Sequence, residues 1–378
     1  MQNHNALVLS GGGARAAYQV GVLLALKDLL PPQSKPFSII SGTSAGAINA
    51  VSLASNSEDF HSSVDVLGQL WQELTMDHVF RTGACDLIGG VYRFGRSFFN
   101  EGVDYHRSLS LLDNSPLNAF LTKSIQFSSI QKNIDRGILR AVSVAALGYS
   151  SSNSVNFFQG ASDLDEWDRF RRIGTATTIG MEHLLASSAI PWIFPTVRIG
   201  QEYFGDGAMR QLAPISPVLH LGANRIFIIG VSGNRQVNTK RYSPRSRHPP
   251  SMAQMAGHLL NSAFVDSLEA DIEHLERVNK LVSLVSDKDR EGTALKPVDT
   301  LIISPSKAID KIAGRHVRNL PKTLRFFMRS SGATARRGGS VLSSYLLFVK
   351  PFIDELVDLG YQDAMWEKES IETFFADD

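Results

Sequence analysis

Short apolar runs alternate with longer periodic segments in the first part of the chain. Ala6–Leu9 is a continuous apolar run of strand length, and the segment that follows has apolar residues at helical spacing as far as Pro31. A second strand-like run, Phe37–Ile40, leads into a turn of small residues and then into a second helix at Ala47–Val51. Two strand–helix units in succession predict a parallel sheet joined by crossover helices.

The same α/β pattern continues downstream. Phe60–Met76 has the spacing of an amphipathic helix, and Met181–Ala189 is a shorter helix ended by Pro191. Arg81–Asn100 is rich in glycine and aromatic residues without a clear period, and we interpret it as an irregular surface connection, the alternative being a segment that covers an active site. Further strands are predicted at Ile138–Leu147, Val155–Gln159, Ile226–Val231 and Thr300–Ile303, with a hairpin over Val197–Phe204 that turns at Gly200.

The character of the sequence changes after about residue 232. Arg235–Pro250 has the composition of a loop, with basic residues and no acid, whereas Met252–Val285 is predicted to be helical. Residues 311–350 contain no Asp or Glu, and the last stretch of the chain is acidic. We therefore predict an α/β fold with a three-layer core and a mostly parallel sheet over residues 1–232. Residues 233–378 form a C-terminal, mainly helical extension with a basic loop, one further strand and an acidic tail.

Composition narrows the function classes without selecting one. The chain has 378 residues, of which 43% are hydrophobic and 20% charged, as in ordinary globular proteins. The net charge of +1 gives no overall field that would attract nucleic acid, so no nucleic-acid partner is predicted. Cys85 is the single cysteine, which rules out an intramolecular disulfide, and we interpret it as an ordinary loop thiol.

The predicted location follows from two further features. The N-terminal residues are polar and no signal peptide is apparent, while no apolar run reaches the length needed to cross a bilayer. Together with the single cysteine, this predicts a cytoplasmic protein, peripheral at a membrane if it binds one. The sequence leaves secretion without an N-terminal signal open.

A Gly-x-Ser-x-Gly turn follows the second predicted strand. Ser44 stands at its centre, between Gly42 and Gly46, and a helix begins directly behind it. Such a strand–turn–helix junction presents a serine hydroxyl at the end of a sheet, beside the partial positive charge of a helix N-terminus. Glycines at the two flanking positions let the backbone turn sharply and let neighbouring elements approach. The motif makes Ser44 a candidate nucleophile.

A run of glycines, Gly11, Gly12 and Gly13, ends the first predicted strand. Exposed N–H groups in such a run can close on a developing oxyanion, as nucleophilic ester hydrolysis requires. Arg15 can fix this loop or add positive charge, the alternative being a solvated surface arginine. A dinucleotide site fits poorly, because Ala16 replaces the third glycine of that fingerprint and no acid ends the second strand. No cofactor and no metal cluster are predicted.

The base that would activate Ser44 is not apparent from a histidine motif. His183 and His220 are the histidines nearest to other candidate residues, and we interpret both as ordinary polar residues of a helix or loop. The order of elements also fits an α/β-hydrolase badly, because Ser44 follows only the second strand.

Three separated motifs together resemble the patatin-like phospholipase family. They are the glycine run with Arg15, the Ser44 turn, and Asp206-Gly207-Ala208, in the family's order across about residues 5–215. Ala186–Pro191 also resembles a family segment, whereas Ser10 and Ala16 depart from the usual pattern. The resemblance implies a patatin-like α/β/α core and a Ser–Asp dyad of Ser44 and Asp206, with Gly11–Gly13 as oxyanion hole. Arg15, Gly42, Gly46 and Gly207 would support that site.

The resemblance implies a phospholipid or another acyl-ester lipid as substrate, and no cofactor. The alternatives are acyl transfer on the same acyl-enzyme and a non-catalytic lipid-binding protein. For Asp206-Gly207 itself, the alternative is a simple hairpin turn. Residues 311–350 interleave basic and apolar side chains, which suits either contact with an anionic membrane or packing against the acidic C-terminal tail.

Overall fold

The computed structural model describes residues 4–97, 110–211, 213–232, 251–286, 296–330 and 340–376. A ten-stranded sheet in the order β10-β9-β1-β2-β3-β4-β6-β5 runs through the molecule, and β8 pairs with both β3 and β7. The strands are β1 (Asn5–Leu9), β2 (Ile39–Thr43), β3 (Ala141–Gly148), β4 (Ser154–Gly160), β5 (Trp167–Arg169), β6 (Arg172–Ala176), β7 (Val197–Ile199), β8 (Glu202–Asp206), β9 (Arg225–Ile229) and β10 (Asp299–Ile303).

Helices cover both faces of the sheet. Those of the first 232 residues are α1 (Ala17–Leu29), α2 (Ala45–Ser55), α3 (Phe60–Glu73), α4 (Met76–Val79), α5 (Ala84–Ser97), α6 (Ser115–Ser124), α7 (Ser128–Asp135), α8 (Met181–Ser187) and α9 (Ser216–His220). The C-terminal helices are α10 (Met252–Asn261), α11 (Ser267–Val282), α12 (Ile309–His316), α13 (Lys322–Ser330), α14 (Ser340–Leu346), α15 (Lys350–Trp366) and α16 (Lys368–Phe375). A π-helical turn, Ser262–Asp266, joins α10 to α11.

The predicted parallel sheet is confirmed at its centre. Strands β10, β9, β1, β2 and β3 are all mutually parallel, and the antiparallel pairs lie towards the β4–β8 side. In β1, Leu7 and Leu9 face one hydrophobic core while Ala6 and Val8 face the other. This alternation is typical of a strand covered on both sides, and it gives the three-layer α/β/α arrangement that the sequence predicts.

The C-terminal helices pack directly on the first layer. Helix α15 lies along α1, where Gly360 faces the Tyr18 carbonyl and Gly21 faces the Val357 carbonyl so closely that a Cβ on either glycine would clash. The Tyr18 hydroxyl donates to Asp363 on α15 at 3.0 Å. Strand β10 extends the same sheet beside β9. The described residues between 251 and 376 therefore contribute to the same hydrophobic core as the first part of the chain.

The prediction for Arg81–Asn100 was wrong, because Ala84–Ser97 forms helix α5 and Cys85 lies in its first turn. Because the segment is rich in glycine, the helical spacing of its apolar residues could not be recognised in the sequence. One of them, Gly90, packs against the Leu111 carbonyl so tightly that any Cβ would lie 2.2 Å from that oxygen. The glycine is thus a contact point of a helix, and its low helix propensity is overridden by packing.

Other differences concern the ends of elements. The helix predicted over Phe60–Met76 ends at Glu73, and a short helix restarts after Thr75. Strands β5 and β6 and helices α6 and α7 were not predicted. The hairpin at Gly200, where φ is +58°, and the last strand near Thr300 are confirmed. Residues 235–250 lie outside the described residues. Among the described helices, none combines the length and the apolar character needed to span a bilayer.

Candidate active site

The ends of two strands meet on neighbouring residues of β3. Strand β2 runs parallel to β3 and ends where Thr43 pairs with Ala145, whereas β8 runs antiparallel and ends where Asp206 pairs with Ala146. Because β4 occupies the opposite edge of β3, both strands lie on the same edge and point towards each other. This head-to-head arrangement brings Ser44 and Asp206 together.

Ser44 occupies a strained turn between β2 and α2. Its φ of 55° and ψ of −127° lie in a backbone region that residues with a Cβ rarely adopt. The side chain is 2% exposed, and the residue stands at the N-cap of α2. A serine on such a turn lies beside the free N–H groups of the helix, where negative charge is stabilised.

The supporting glycines lie where backbone segments cross closely. A Cβ on Gly46 would lie 2.3 Å from the Leu9 carbonyl oxygen, and one on Gly42 would lie 2.3 Å from the Gly46 carbonyl oxygen. A Cβ on Gly207 would lie 2.2 Å from the Ala145 carbonyl oxygen. The three glycines therefore allow the serine turn, the end of β1 and the Asp206 turn to pack at backbone distance.

The last residue of α8 and the segment after it contact the two candidate catalytic residues. The Ser44 N–H donates to the Ser187 hydroxyl at 2.8 Å, and the Asp206 N–H donates to the Ala189 carbonyl at 2.9 Å. The sequence singled out Ala186–Pro191 but assigned it no role. Its position shows that it aligns the backbones of the serine turn and the aspartate turn.

Asp206 is fully buried, and burial raises its pKa from 3.8 to about 7. The Ser44 hydroxyl and the Ala208 N–H, which donates to Oδ1 at 3.0 Å, act in the opposite direction by favouring the carboxylate. Even so, Oδ2 lacks a hydrogen-bond partner of ordinary geometry among the described residues. A short 3₁₀ turn follows Asp206, so Asp206-Gly207 is not the hairpin turn of the alternative interpretation.

A tyrosine that the sequence did not single out lies at the same turn. The Tyr149 ring packs against Gly205, and its N–H donates to the Tyr203 carbonyl at 3.0 Å. Burial and the nearby Asp206 charge both raise the pKa of Tyr149, so its hydroxyl stays protonated near neutral pH.

The glycine run lies against Ser44. A Cβ on Gly11 would lie 3.1 Å from the Ser44 Cβ, and the N–H groups of Gly11 and Gly12 donate to no other group in the described part of the chain. The loop is covered by the C-terminal region, since the Phe264 ring contacts Gly11 and the Tyr345 carbonyl contacts Gly13. Free donors close to a nucleophile are what an oxyanion hole requires.

Arg15 is buried beneath this loop, at 3% exposure, so the alternative of a solvated surface arginine does not hold. Its Nε donates to the Ser344 hydroxyl at 2.7 Å, and its guanidinium lies 4.1 Å from the Tyr345 ring centre. Among the described residues, no carboxylate lies within ion-pair distance of Arg15. Burial lowers the pKa of Arg15, but arginine retains its charge in proteins.

An apolar pocket opens from Ser44. It has a volume of about 40 Å³ and lies between α2, α3, α6 and the C-terminal region. The side chains that line it are almost all hydrophobic; among them are Ile48, Trp71, Leu74, Leu121, Phe194 and Phe348. Such a lining suits an acyl chain.

The two histidines considered from the sequence lie elsewhere. His183 packs edge-on against Phe157, and its Nδ1 accepts from the Gly180 N–H at 3.0 Å. His220 stacks on Trp167 at 4.8 Å between ring centres. Within the described ranges, no cluster of His, Cys, Asp and Glu has the arrangement of a metal site.

Comparison with known proteins gives one family match. The family profile described as patatin-like phospholipase matches residues 7–219. No curated protein sequence matches this chain. Among solved structures, VipD from Legionella pneumophila is 12% identical over 98% of this chain and 67% of that chain, with a TM-score of 0.37. Human GIVD cytosolic phospholipase A2 is 10% identical over 98% of this chain, with a TM-score of 0.39, and this chain spans 60% of its length.

Proposed function

Because this chain belongs to the patatin-like phospholipase family, we propose that it is a serine lipid acyl hydrolase with a Ser44–Asp206 dyad. The observation that carries the proposal is the convergence of β2 and β8 on Ala145 and Ala146, which sets a buried carboxyl beside a serine hydroxyl. The substrate class is a phospholipid, a lysophospholipid or another acyl-ester lipid.

The proposed reaction has two steps. Asp206 accepts the Ser44 proton as the Ser44 oxygen attacks the ester carbonyl, and the N–H groups of Gly11 and Gly12 stabilise the resulting oxyanion. The tetrahedral species collapses to an acyl-enzyme when the alcohol leaves, carrying the proton from Asp206. A water molecule then gives one proton to Asp206 and attacks the acyl-enzyme. The second tetrahedral species releases the fatty acid as Asp206 returns that proton to the Ser44 oxygen, which regenerates both residues.

A carboxylate is an inefficient base at its usual pKa of about 3.9. In this site, burial brings the pKa of Asp206 to about 7, close to a neutral working pH. A general base is most effective when its pKa lies near the operating pH, because the ionised form is then both present and basic. The environment of Asp206 therefore supports direct action on Ser44 without an intervening imidazole.

The test is hydrolysis of a nitrophenyl butyrate ester by the full chain and by matched variants. We expect Ser44→Ala and Asp206→Asn each to lower kcat by about a thousandfold or more. Ser52→Ala and Asp363→Asn change a buried serine on the same helix and a buried aspartate outside the site, and both should retain activity. Wild-type activity that survives in a folded Ser44→Ala protein would contradict the proposal.

We also propose that α13 and α5 form a membrane-docking surface. Phe326 on α13 is 76% exposed, and Ile88 and Tyr92 on α5 are similarly exposed. The first turn of α13 contacts the segment just before α5, where the Thr323 hydroxyl donates to the Thr82 carbonyl at 3.3 Å. Apolar side chains beside basic residues of a segment without acids suit an anionic lipid surface.

The other interpretation of residues 311–350 describes a different part of this segment. Arg315 and His316 on α12 both contact Glu355 on α15, and Lys350 lies 3.3 Å from Asp354. These basic side chains pack against the acidic C-terminal region, whereas Lys322 and Phe326 on α13 are exposed. The docking proposal therefore concerns α13 and α5 and not the whole basic segment.

A further inference from the structure

The pocket at Ser44 is short. Its lining includes Ser44 and Ile48 on α2 and Trp71 on α3. The Trp71 indole donates a hydrogen bond to Asn49, five residues after Ser44, so this part of the pocket wall meets α2 roughly 8 Å from Ser44 along the helix axis. The pocket volume of about 40 Å³ is well below the roughly 150 Å³ of a cavity that admits benzene. A long acyl chain therefore does not fit this pocket unless part of the pocket wall moves.

Trp71 is the largest side chain of that wall, and it is held in place. The indole Nε1 donates to Asn49 Oδ1 at 2.7 Å, and the ring stacks on Phe348 with 6.4 Å between ring centres. Trp71 is 2% exposed and Asn49 is fully buried, so the wall faces the protein interior. A buried tryptophan with its N–H satisfied has little freedom to move aside.

Asn49 is fixed in turn by a series of buried hydrogen bonds. Its Nδ2 donates to Gln19 Oε1 at 2.8 Å, and Gln19 Nε2 donates to the Ser10 carbonyl at 2.8 Å. Ser10 directly precedes the glycine run beside Ser44. The same three side chains thus connect the pocket wall to the loop of candidate oxyanion donors. A fully satisfied buried network of this kind rigidifies the groups at both of its ends.

We propose that Trp71, held by Asn49 and Gln19, sets the length of acyl chain that the pocket accepts. This inference rests on the proposed function, since it specifies the substrate of the same site. Trp71 is a specificity-determining residue in this proposal, and Asn49 and Gln19 are positioning residues that act through it. A chain that extends beyond the wall must displace a hydrogen-bonded indole, whereas a short chain need not.

The experiment measures kcat/KM of the full chain for nitrophenyl butyrate and nitrophenyl octanoate. We expect Trp71→Ala to raise the octanoate-to-butyrate ratio by about tenfold, because space for added methylene groups is worth about that much in a hydrophobic pocket. Trp71→Phe should move the ratio in the same direction by less. Asn49→Leu should also raise it, because the indole then loses its acceptor.

Trp167→Ala is the matched control. Trp167 is a second buried tryptophan, but it packs with Phe158 and His220 in the core on the other face of the sheet. Its loss lowers stability without touching the pocket, so the selectivity ratio should stay at the wild-type value. General destabilisation lowers kcat/KM for both esters, whereas a change in the position of the pocket wall alters the ratio of the two values.

Each outcome bears on one of the two proposals. If Trp71→Ala does not fold, Trp71→Phe supplies the same test. A folded Trp71 variant with the wild-type ratio would overturn the assignment of Trp71 while leaving the serine hydrolase intact. An unchanged ratio in folded Asn49→Leu would overturn the positioning role. A wild type whose activity does not depend on Ser44 would overturn the proposed function, and this inference with it.

Discussion

The carboxyl group of Asp206 is completely buried beside the Ser44 hydroxyl, with Oδ2 lacking a partner of ordinary geometry in the described part of the chain. Burying a carboxylate with an unsatisfied oxygen costs free energy, and so does the positive φ of Ser44. Two unfavourable features at one point of a well-packed core are typical of a functional site. Each leads to a measurable consequence.

The first prediction concerns the pH dependence of catalysis. Asp206 must be ionised to accept the Ser44 proton, and burial sets its pKa at about 7. We expect kcat/KM for a nitrophenyl ester to fall about tenfold per pH unit below that value and to level off above it. Tyr149 does not add a second step there, because its own pKa is raised. A rate that stays constant as the pH is lowered through 7 would exclude Asp206 as the base.

The second prediction concerns stability. The pKa of Asp206 is higher in the folded state, so between pH 3.8 and about 7 the folded protein retains a proton that the unfolded chain has lost. The contribution of this group to the free energy of unfolding therefore falls as pH rises through this window. The Asp206→Asn variant has no titrating group at this position. Above pH 7 we therefore expect its free energy of unfolding to exceed that of the wild type by on the order of 4 kcal/mol.

Denaturant unfolding at several pH values measures this difference. The gap between Asp206→Asn and wild type should widen from pH 4 to about 7 and then remain constant. Asp363→Asn serves as the control. Asp363 is also a buried aspartate, but it accepts hydrogen bonds from the Tyr18 hydroxyl and the Ser306 N–H, whereas Asp206 Oδ2 lacks an ordinary partner among the described residues. Loss of stability in Asp206→Asn at neutral pH would show that the carboxylate stabilises the fold.

The third prediction separates glycines that are needed for close packing from one that is not. Gly46→Ala would place a Cβ 2.3 Å from the Leu9 carbonyl oxygen, so the serine turn and the end of β1 must separate. We expect a loss of about 2 to 3 kcal/mol of stability together with most of the activity. Gly68→Ala, in α3, meets no atom within 4 Å and should be neutral or stabilising by up to about 1 kcal/mol. Thermal unfolding and ester hydrolysis of both variants provide the comparison, and equal stability losses would contradict it.

The fourth prediction tests the docking surface. Phe326→Ser with Lys322→Glu should lower binding to phosphatidylserine vesicles about tenfold in a sedimentation assay, because it removes an apolar contact and reverses a charge. Trp366→Ser is the control, since Trp366 is also exposed, at 90%, but lies at the end of α15 beside Glu367. Equal binding by all three proteins would contradict docking through α13.

The sequence predicted those features that depend on neighbours in the chain. The alternation of apolar runs and helical segments gave the parallel centre of the sheet, and small residues around Ser44 indicated the sharp turn. The position of Asp206 depends on β8, which pairs antiparallel to β3 through three residues only. No local period encodes that pairing, so the meeting of Ser44 and Asp206 could be expected only from the family resemblance.

Contacts from distant parts of the chain were also beyond sequence analysis. Phe264 and Tyr345 cover the glycine run, and Trp71 lines the pocket, but each lies in a segment whose apolar residues also suit an ordinary core. Helix α5 was missed because it is rich in glycine, and one of these glycines, Gly90, serves packing. These are tertiary effects, which override local propensity.

The fifth prediction concerns Arg15, which is buried without a carboxylate partner among the described residues. Isolated buried charges cost free energy, and replacing them by an apolar side chain of similar length is often neutral or stabilising. We therefore expect Arg15→Met to unfold at the same temperature as wild type or higher, although it loses the bond to Ser344.

Activity should respond in the opposite direction. In the proposed mechanism, the guanidinium adds positive charge beneath the loop of free N–H groups that would stabilise the oxyanion, so Arg15→Met should lower kcat by roughly tenfold or more. Arg15→Lys retains the charge but not the planar group that stacks on Tyr345, and it should retain more activity than Arg15→Met. Thermal unfolding and ester hydrolysis, measured on the same preparations, distinguish the two roles. If Arg15→Met loses stability and activity together, and Arg15→Lys loses as much activity as Arg15→Met, then Arg15 holds the C-terminal region in place and the proposed role of its charge is contradicted.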